Sequence, residues 1–281
     1  MTRRRLTYRR VIAAAFGAVG LAVSAETMGQ DLEQSICGFK EPFIFWFWSR
    51  AAGEADPARV RGMENVQDIS IVTRDGQTLR GYKLVSTALA PQHGYLLVVQ
   101  GNAMLADQII TDFQTFAEIG YDVFLFDYRG YGRSEGRRRL RAMLSDYREI
   151  ITYLDARGYA SRSFYGISFG GVLLLDALRD DNGAKLLIID SSPSRLSDHG
   201  CPPEHDPVQN FPSHGANVLV IVGQRDNVVS PAMSHALVER ARQAGAQVVS
   251  DPNFGHPFVD GQTRRRFEVV RDFLERQRGD H

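Results

Sequence analysis

A serine, an aspartate and a histidine occur here in an order and spacing that suit one kind of chemistry. Ser168 stands in Gly166-Ile167-Ser168-Phe169-Gly170-Gly171, a G-x-S-x-G pattern. A serine hydroxyl becomes a nucleophile when a base takes its proton. His256, in Asn253-Phe254-Gly255-His256, supplies an imidazole, which works near neutral pH. A carboxylate must fix that ring's tautomer and orientation. Asp226, in Val222-Gly223-Gln224-Arg225-Asp226, is the first candidate; Asp190 and Asp251 are the alternatives. Attack on a carbonyl also needs two N–H donors for the developing oxyanion. Phe169 follows the serine directly, and Asn102 lies in Gln100-Gly101-Asn102-Ala103-Met104, with Ala103 the next choice. The chemistry these residues point to is acyl transfer through serine.

Such a site works only if surrounding elements bring it together. Residues 68–73 and 78–85 alternate apolar and polar around Asp75-Gly76, which reads as a β-hairpin. Residues 95–100 (YLLVVQ) and 121–126 (YDVFLF) are unbroken apolar runs, as strands buried on both faces should be. Further strands are expected at 163–165, 186–189, 218–222 and 247–250. Helical periodicity marks 105–119, 140–156, 169–178, 231–244 and 263–278. Strand alternating with helix predicts an α/β protein with a mostly parallel sheet and helices on both faces. Ligands then sit beyond the carboxyl ends of the strands. Ser168, Asp226 and His256 each follow an apolar run at that end. His93 precedes a strand and so falls at the wrong end. His281 ends the chain; His199, His205 and His214 lie in the loop after residue 189 and His235 inside a helix, and most of these read as solvated surface groups.

With QGNAM (100–104), DYRGYGRSEG (127–136), GISFGG (166–171), VGQRD (222–226) and FGH (254–256), the chain resembles the α/β-hydrolase superfamily over residues 67–278. Its nearest likeness is to small-lid serine hydrolases, among them esterases and depalmitoylating thioesterases. The resemblance implies an α/β-hydrolase fold and hydrolysis of a carboxylic ester or thioester through an acyl-Ser168 intermediate. Ser168, Asp226 and His256 would be catalytic, the N–H groups of Phe169 and Asn102 would form the oxyanion hole, and no cofactor would be needed. DYRGYGRSEG is expected to shape the loop beside the nucleophile. Two features depart from the pattern. Gln100-Gly101 replaces the usual His-Gly, and the lid segment, 191–216, is short, which implies an open cleft. A non-catalytic binding protein on the same scaffold is the rival reading, and acyl transfer or peptide cleavage would use the same triad.

Composition narrows the other classes. The 281 residues carry 33 basic and 33 acidic side chains, so no global basic field argues for nucleic acid. No C-x-x-C pair, H-E-x-x-H or G-x-G-x-x-G opening a helix supports a metal or dinucleotide. Residues 1–10 hold five arginines and no acid, residues 11–23 are apolar or Gly, and Val23-Ser24-Ala25 supplies small residues at the right spacing. This reads as a signal peptide over 1–25 with export to the periplasm or medium. An uncleaved membrane anchor is the alternative. Export allows one disulfide, Cys37–Cys201, or two free thiols. Residues 26–65 form an N-terminal arm before the 66–281 domain. Its aromatic run 43–48 reads as packing on the core, as a cover over an acyl groove, or as a peripheral contact with membrane. The triplets 137–139 and 264–266 of arginine read as solvated faces.

Overall fold

The computed structural model describes residues 31–88, 94–183 and 185–279. The segment read as a signal peptide, His93 and His281 lie outside them. The hairpin is β1 (Val66–Val72) and β2 (Thr78–Leu84). Six further strands follow: β3 (Gly94–Val99), β4 (Tyr121–Phe126), β5 (Arg162–Ile167), β6 (Leu186–Asp190), β7 (Val218–Gly223) and β8 (Gln247–Asp251). They form one sheet in the order β1-β2-β4-β3-β5-β6-β7-β8. β1 and β2 run antiparallel, β2 meets β4 antiparallel, and all the rest are parallel. This is the α/β-hydrolase architecture expected, with the antiparallel hairpin at one edge.

Two cores explain the unbroken apolar runs. In β3, Tyr95, Leu97 and Val99 point to one face, and Leu96 and Val98 to the other, all fully buried. The first face is covered by the helices Leu140–Asp155, Phe169–Ala177 and Pro231–Gln243, and the second by short turns over 106–118 and the helix Thr263–Gly279. In chain order the α-helices are α1 (Glu41–Ala51), α2 (Ala106–Ile109), α3 (Gln114–Glu118), α4 (Leu140–Asp155), α5 (Phe169–Ala177), α6 (Pro231–Gln243) and α7 (Thr263–Gly279).

One expectation needs correction, and one unassigned segment gains a structure. The single helix over 105–119 is broken by a 3-10 turn at Ile110–Phe113. Ile109, Ile110, Phe113, Phe116 and Ala117 are all buried, and the tighter turn rotates the adjacent Ile109 and Ile110 both inward. The arm contains α1, for which the sequence showed no helical period. Its outward positions are as apolar as its inward ones, so the polar face that marks an amphipathic helix is missing. Pro42 sits in its first turn, where its absent N–H costs nothing, and Arg50 in its last. The buried Glu41 carboxylate accepts from the N–H of Ile36 and Cys37, 2.8 Å each, and of Leu140 at 3.0 Å. This joins the arm to the start of α4. Cys37 and Cys201 form a disulfide across 164 residues, which resolves the open choice between a bond and free thiols.

Candidate active site

Ser168 lies between the end of β5 and the start of α5 with φ 55° and ψ −117°, in the left-handed region that L-residues avoid. The glycines around it make that turn passable. A Cβ on Gly170 would lie 1.9 Å from the Val99 carbonyl oxygen, and one on Gly166 would lie 2.6 Å from the Gly171 Cα. Ser168 N–H donates to the Asp190 carbonyl at 2.8 Å, and its carbonyl accepts from Ser192 Oγ at 2.8 Å. The side-chain hydroxyl makes no hydrogen bond among the described residues, and the residue is 8% exposed. The strained elbow therefore presents an unpaired hydroxyl at the N-terminus of a helix.

Opposite stands the loop after β3. A Cβ on Gly101 would meet Ser168 Cβ at 3.7 Å, so Gly101 faces the Ser168 side chain. Gln100 is fully buried; its Nε2 donates to the Phe126 carbonyl at 2.9 Å, and its backbone carbonyl accepts from the Tyr128 hydroxyl. Asn102 Oδ1 accepts from the Tyr131 hydroxyl at 2.7 Å. Tyr128 and Tyr131 thus hold this loop from within DYRGYGRSEG, whose turn uses positive φ at Gly130, Gly132 and Gly136. Asp127 opens the motif and accepts from Ala106 N–H at 2.8 Å, which anchors the far end of the same loop. Desolvation pushes its carboxyl up to about 6, against the pull of the Ala106 and Arg133 N–H groups. The sequence placed this motif beside Ser168; the two tyrosine hydroxyls that do the holding were not foreseen. The N–H of Phe169, first in α5, has no partner one turn earlier in its helix. Asn102 N–H donates to nothing among the described residues.

Asp226 and His256 are joined. His256 Nδ1 lies 2.8 Å from Asp226 Oδ2, and Asp226 Oδ1 accepts from the N–H of Val228 and Val229 at 2.9 Å each. A carboxylate can only accept, so Nδ1 carries the proton and Nε2 is left as a base. Burial disfavours the Asp226 charge, yet the His256 bond and the two backbone N–H groups hold its carboxyl below the ordinary value. The loops after β7 and β8 create this meeting: Gln224 N–H donates to the Asp251 carbonyl and Arg225 N–H to that of Phe254. A Cβ on Gly223 would lie 2.4 Å from the Phe254 carbonyl, so only glycine lets the loops cross.

The alternative acids are engaged elsewhere. Asp190 Oδ1 takes Arg266 Nη1 at 2.8 Å, and its Oδ2 accepts from the Tyr165 hydroxyl at 3.0 Å. Arg266 also pairs with Asp260 and lies over the Phe254 ring. It is 1% exposed, which corrects the reading of 264–266 as a solvated face: the helical turn aims this one side chain inward while Arg264 stays in solvent. Asp251 Oδ2 is bound by Arg265 at 2.6 Å. His199, His214 and His235 are exposed as expected, but His205 is half-buried with Nδ1 2.7 Å from Asp176 Oδ2. Nothing in the spacing of those two residues announced that contact. Among the described residues no cluster of His, Cys, Asp and Glu could hold a metal ion, and no helix is long and apolar enough to cross a membrane.

Comparison with known proteins bears on this geometry. The family model described as serine aminopeptidase, S33, matches residues 90–205. An uncharacterized protein of Mycobacterium tuberculosis is 28% identical over 230 residues, 74% of this chain and 79% of its own. Mouse lysophosphatidylserine lipase ABHD12 is 35% identical over 72 residues, 25% of this chain and 18% of its own. Among solved structures, the Pyrococcus furiosus esterase Pf2001 superposes with a TM-score of 0.62 at 18% identity, covering 80% of this chain and 94% of that one. The α/β hydrolase GrgF from a Penicillium species gives 0.58 at 17%, covering 75% and 98%.

Proposed function

We propose, from the α/β-hydrolase fold and the family-model match over residues 90–205, that the chain is a serine hydrolase of the α/β-hydrolase superfamily cleaving a carboxylic ester or thioester through an acyl-Ser168 intermediate. The observation that carries the reading is one juxtaposition. A strained serine with an unpaired hydroxyl and a His256–Asp226 pair occupy the same carboxyl end of the sheet. Ser168 Oγ attacks the carbonyl carbon while His256 Nε2 takes its proton. The oxyanion is held by the N–H groups of Phe169 and Asn102. Collapse breaks the bond to the leaving group, which His256 protonates, and Asp226 stabilises the transient imidazolium. Water, deprotonated by His256, then releases the acid and restores Ser168. Gln100 does not obstruct this scheme, because the donors are backbone groups.

Two segments frame the entrance. Phe45 of α1 packs on Phe169 with centroids 5.5 Å apart, and the disulfide joins the residues before α1 to segment 191–216. We read these as the two halves of a small cover that limits the acyl group. Two of the similar proteins, an esterase and a lysophosphatidylserine lipase, favour an ester substrate. The aminopeptidase description of the family model supports a second reading, peptide cleavage with the same residues. Reaction with a fluorophosphonate followed by mass spectrometry tests the nucleophile. An adduct on Ser168, lost in His256→Ala, is expected; folded protein that takes up no label contradicts the proposal. Acyl esters, acyl thioesters and aminoacyl anilides offered side by side then decide the bond cleaved.

A further inference from the structure

Helix α1 has two apolar faces and uses only one of them. Glu41, Phe45 and Trp48 turn toward the domain, at helical spacing. Phe39, just before the helix, and Phe43, Trp46 and Phe47 on its other side are 80, 71, 51 and 58% exposed. Beside them run Arg137, Arg138 and Arg139. Pro42, Phe43 and Trp46 form one wall of an open cleft of about 520 Å³, and Gly136 with the three arginines forms the other. One wall is aromatic and the other cationic.

We propose that this outer face of α1, together with Arg138 and Arg139, docks on an anionic lipid bilayer. Aromatic rings favour the depth where acyl chains meet headgroups, and arginines favour the phosphates just above. The charge balance fits that partner. Of the nearby acids, Glu33 pairs with Arg137, Asp31 with Arg141, and Glu41 is buried under backbone N–H groups, while Glu54, exposed in the adjoining cleft beside Arg50 and Arg138, is outnumbered by the cations around it. Arg138 and Arg139 donate only to backbone carbonyls, and Lys40 and Arg50 have no carboxylate partner among the described residues. The face is therefore left cationic. Where residues 1–25 are retained, the alternative to cleavage, the basic residues 1–10 and the apolar residues 11–23 lie shortly before α1 as well. Because Phe45 of the same helix rests on Phe169, docking brings the elbow up to the lipid surface.

The chain offers its own reporter, because both of its tryptophans, Trp46 and Trp48, lie in α1. In full-length Trp48→Phe, Trp46 is the single emitter. The experiment adds vesicles of phosphatidylcholine, with or without about 30% phosphatidylglycerol, and repeats both with brominated acyl chains. Anionic vesicles should shift the emission to the blue, and brominated chains should quench it at least about twofold. Arg138→Gln with Arg139→Gln should weaken vesicle affinity about tenfold or more. Phe43→Ser with Phe47→Ser should abolish the quenching, with an unchanged circular dichroism spectrum showing that the fold persists. Protein that sediments with vesicles while Trp46 stays unquenched would overturn the proposal, since residues 1–30 alone would then be the contact. Emission already blue-shifted without lipid and unchanged by it would overturn it too, with residues 11–23 or a second copy covering the face. None of these readouts depends on turnover.

Discussion

Two histidine–aspartate pairs in this molecule look alike and are built for different ends. In one, His256 Nδ1 meets Asp226 at 2.8 Å; in the other, His205 Nδ1 meets Asp176 at 2.7 Å. Both carboxylates are buried, and both rings keep a little solvent contact, 13 and 17%. The surroundings differ. Asp226 is held by neutral N–H donors and has His256 as its single ionisable partner among the described residues. Asp176 also receives the guanidinium of Arg148, with that of Arg179 nearby. Asp176 sits near the C-terminus of α5, about 12 Å along the helix from Ser168. Its histidine belongs to segment 191–216, so this pair fastens a loop to a helix. The hydrogen bond alone therefore does not mark a candidate catalytic pair; its position at the carboxyl end of the sheet, where the Ser168 turn also lies, does.

The sharpest way to break that distinction is by activity. Ser168→Ala and His256→Ala should each cut turnover of an acyl ester by about 10⁴-fold or more. His205→Ala should leave it within about twofold. Equal losses at the two histidines would erase the difference drawn here. Stability tests the third carboxylate, Asp190. Arg266→Met leaves it buried without its cation and should cost about 3–5 kcal/mol in denaturant unfolding. Removing the disulfide by Cys37→Ser with Cys201→Ser tests the fastening of segment 191–216 and should cost about 2–4 kcal/mol. His205→Ala acts on the same segment by about 1–2 kcal/mol, since Asp176 retains Arg148. Combining it with the disulfide variant should cost less than the two separate losses added together, if both fasten one loop, because each single loss already includes the coupling between the ties.

The smallest expected effect is on acid stability. The Asp226 carboxyl is held below its ordinary value in the folded chain. The stability it contributes is complete above its unfolded value near about 4 and is lost as pH falls through the lower folded value. Asp226→Asn should therefore flatten the unfolding midpoint against pH below about 4. Asp127 has the opposite sign, because burial raises its carboxyl to about 6. Its ionisation costs stability as pH rises from about 4 through about 6. A wild-type profile without either slope would show that neither carboxyl is perturbed.

Local sequence determined more of this protein than its length would imply. Apolar runs buried on both faces fixed strands within a residue or two, because a central parallel strand tolerates little else. The glycines around Ser168 announced the elbow, because no other residue fits where backbone meets backbone. Ser168, Asp226, His256, Phe169 and Asn102 could be nominated from positions just past strands. What the chain could not announce depends on distant partners. Helix α1 hides in sequence because both of its faces are apolar, and only the fold shows which face is covered. Arg266 reads like its neighbours until the helix turns it onto Asp190. Asp226, Asp190 and Asp251 all stand near the carboxyl ends of neighbouring strands. Only the arginines brought to two of them, and the loop crossing at Gly223, decide which carboxylate meets His256. Periodicity and turn chemistry are local and survive in one dimension; charge pairing is a property of neighbours, and neighbours exist only after folding.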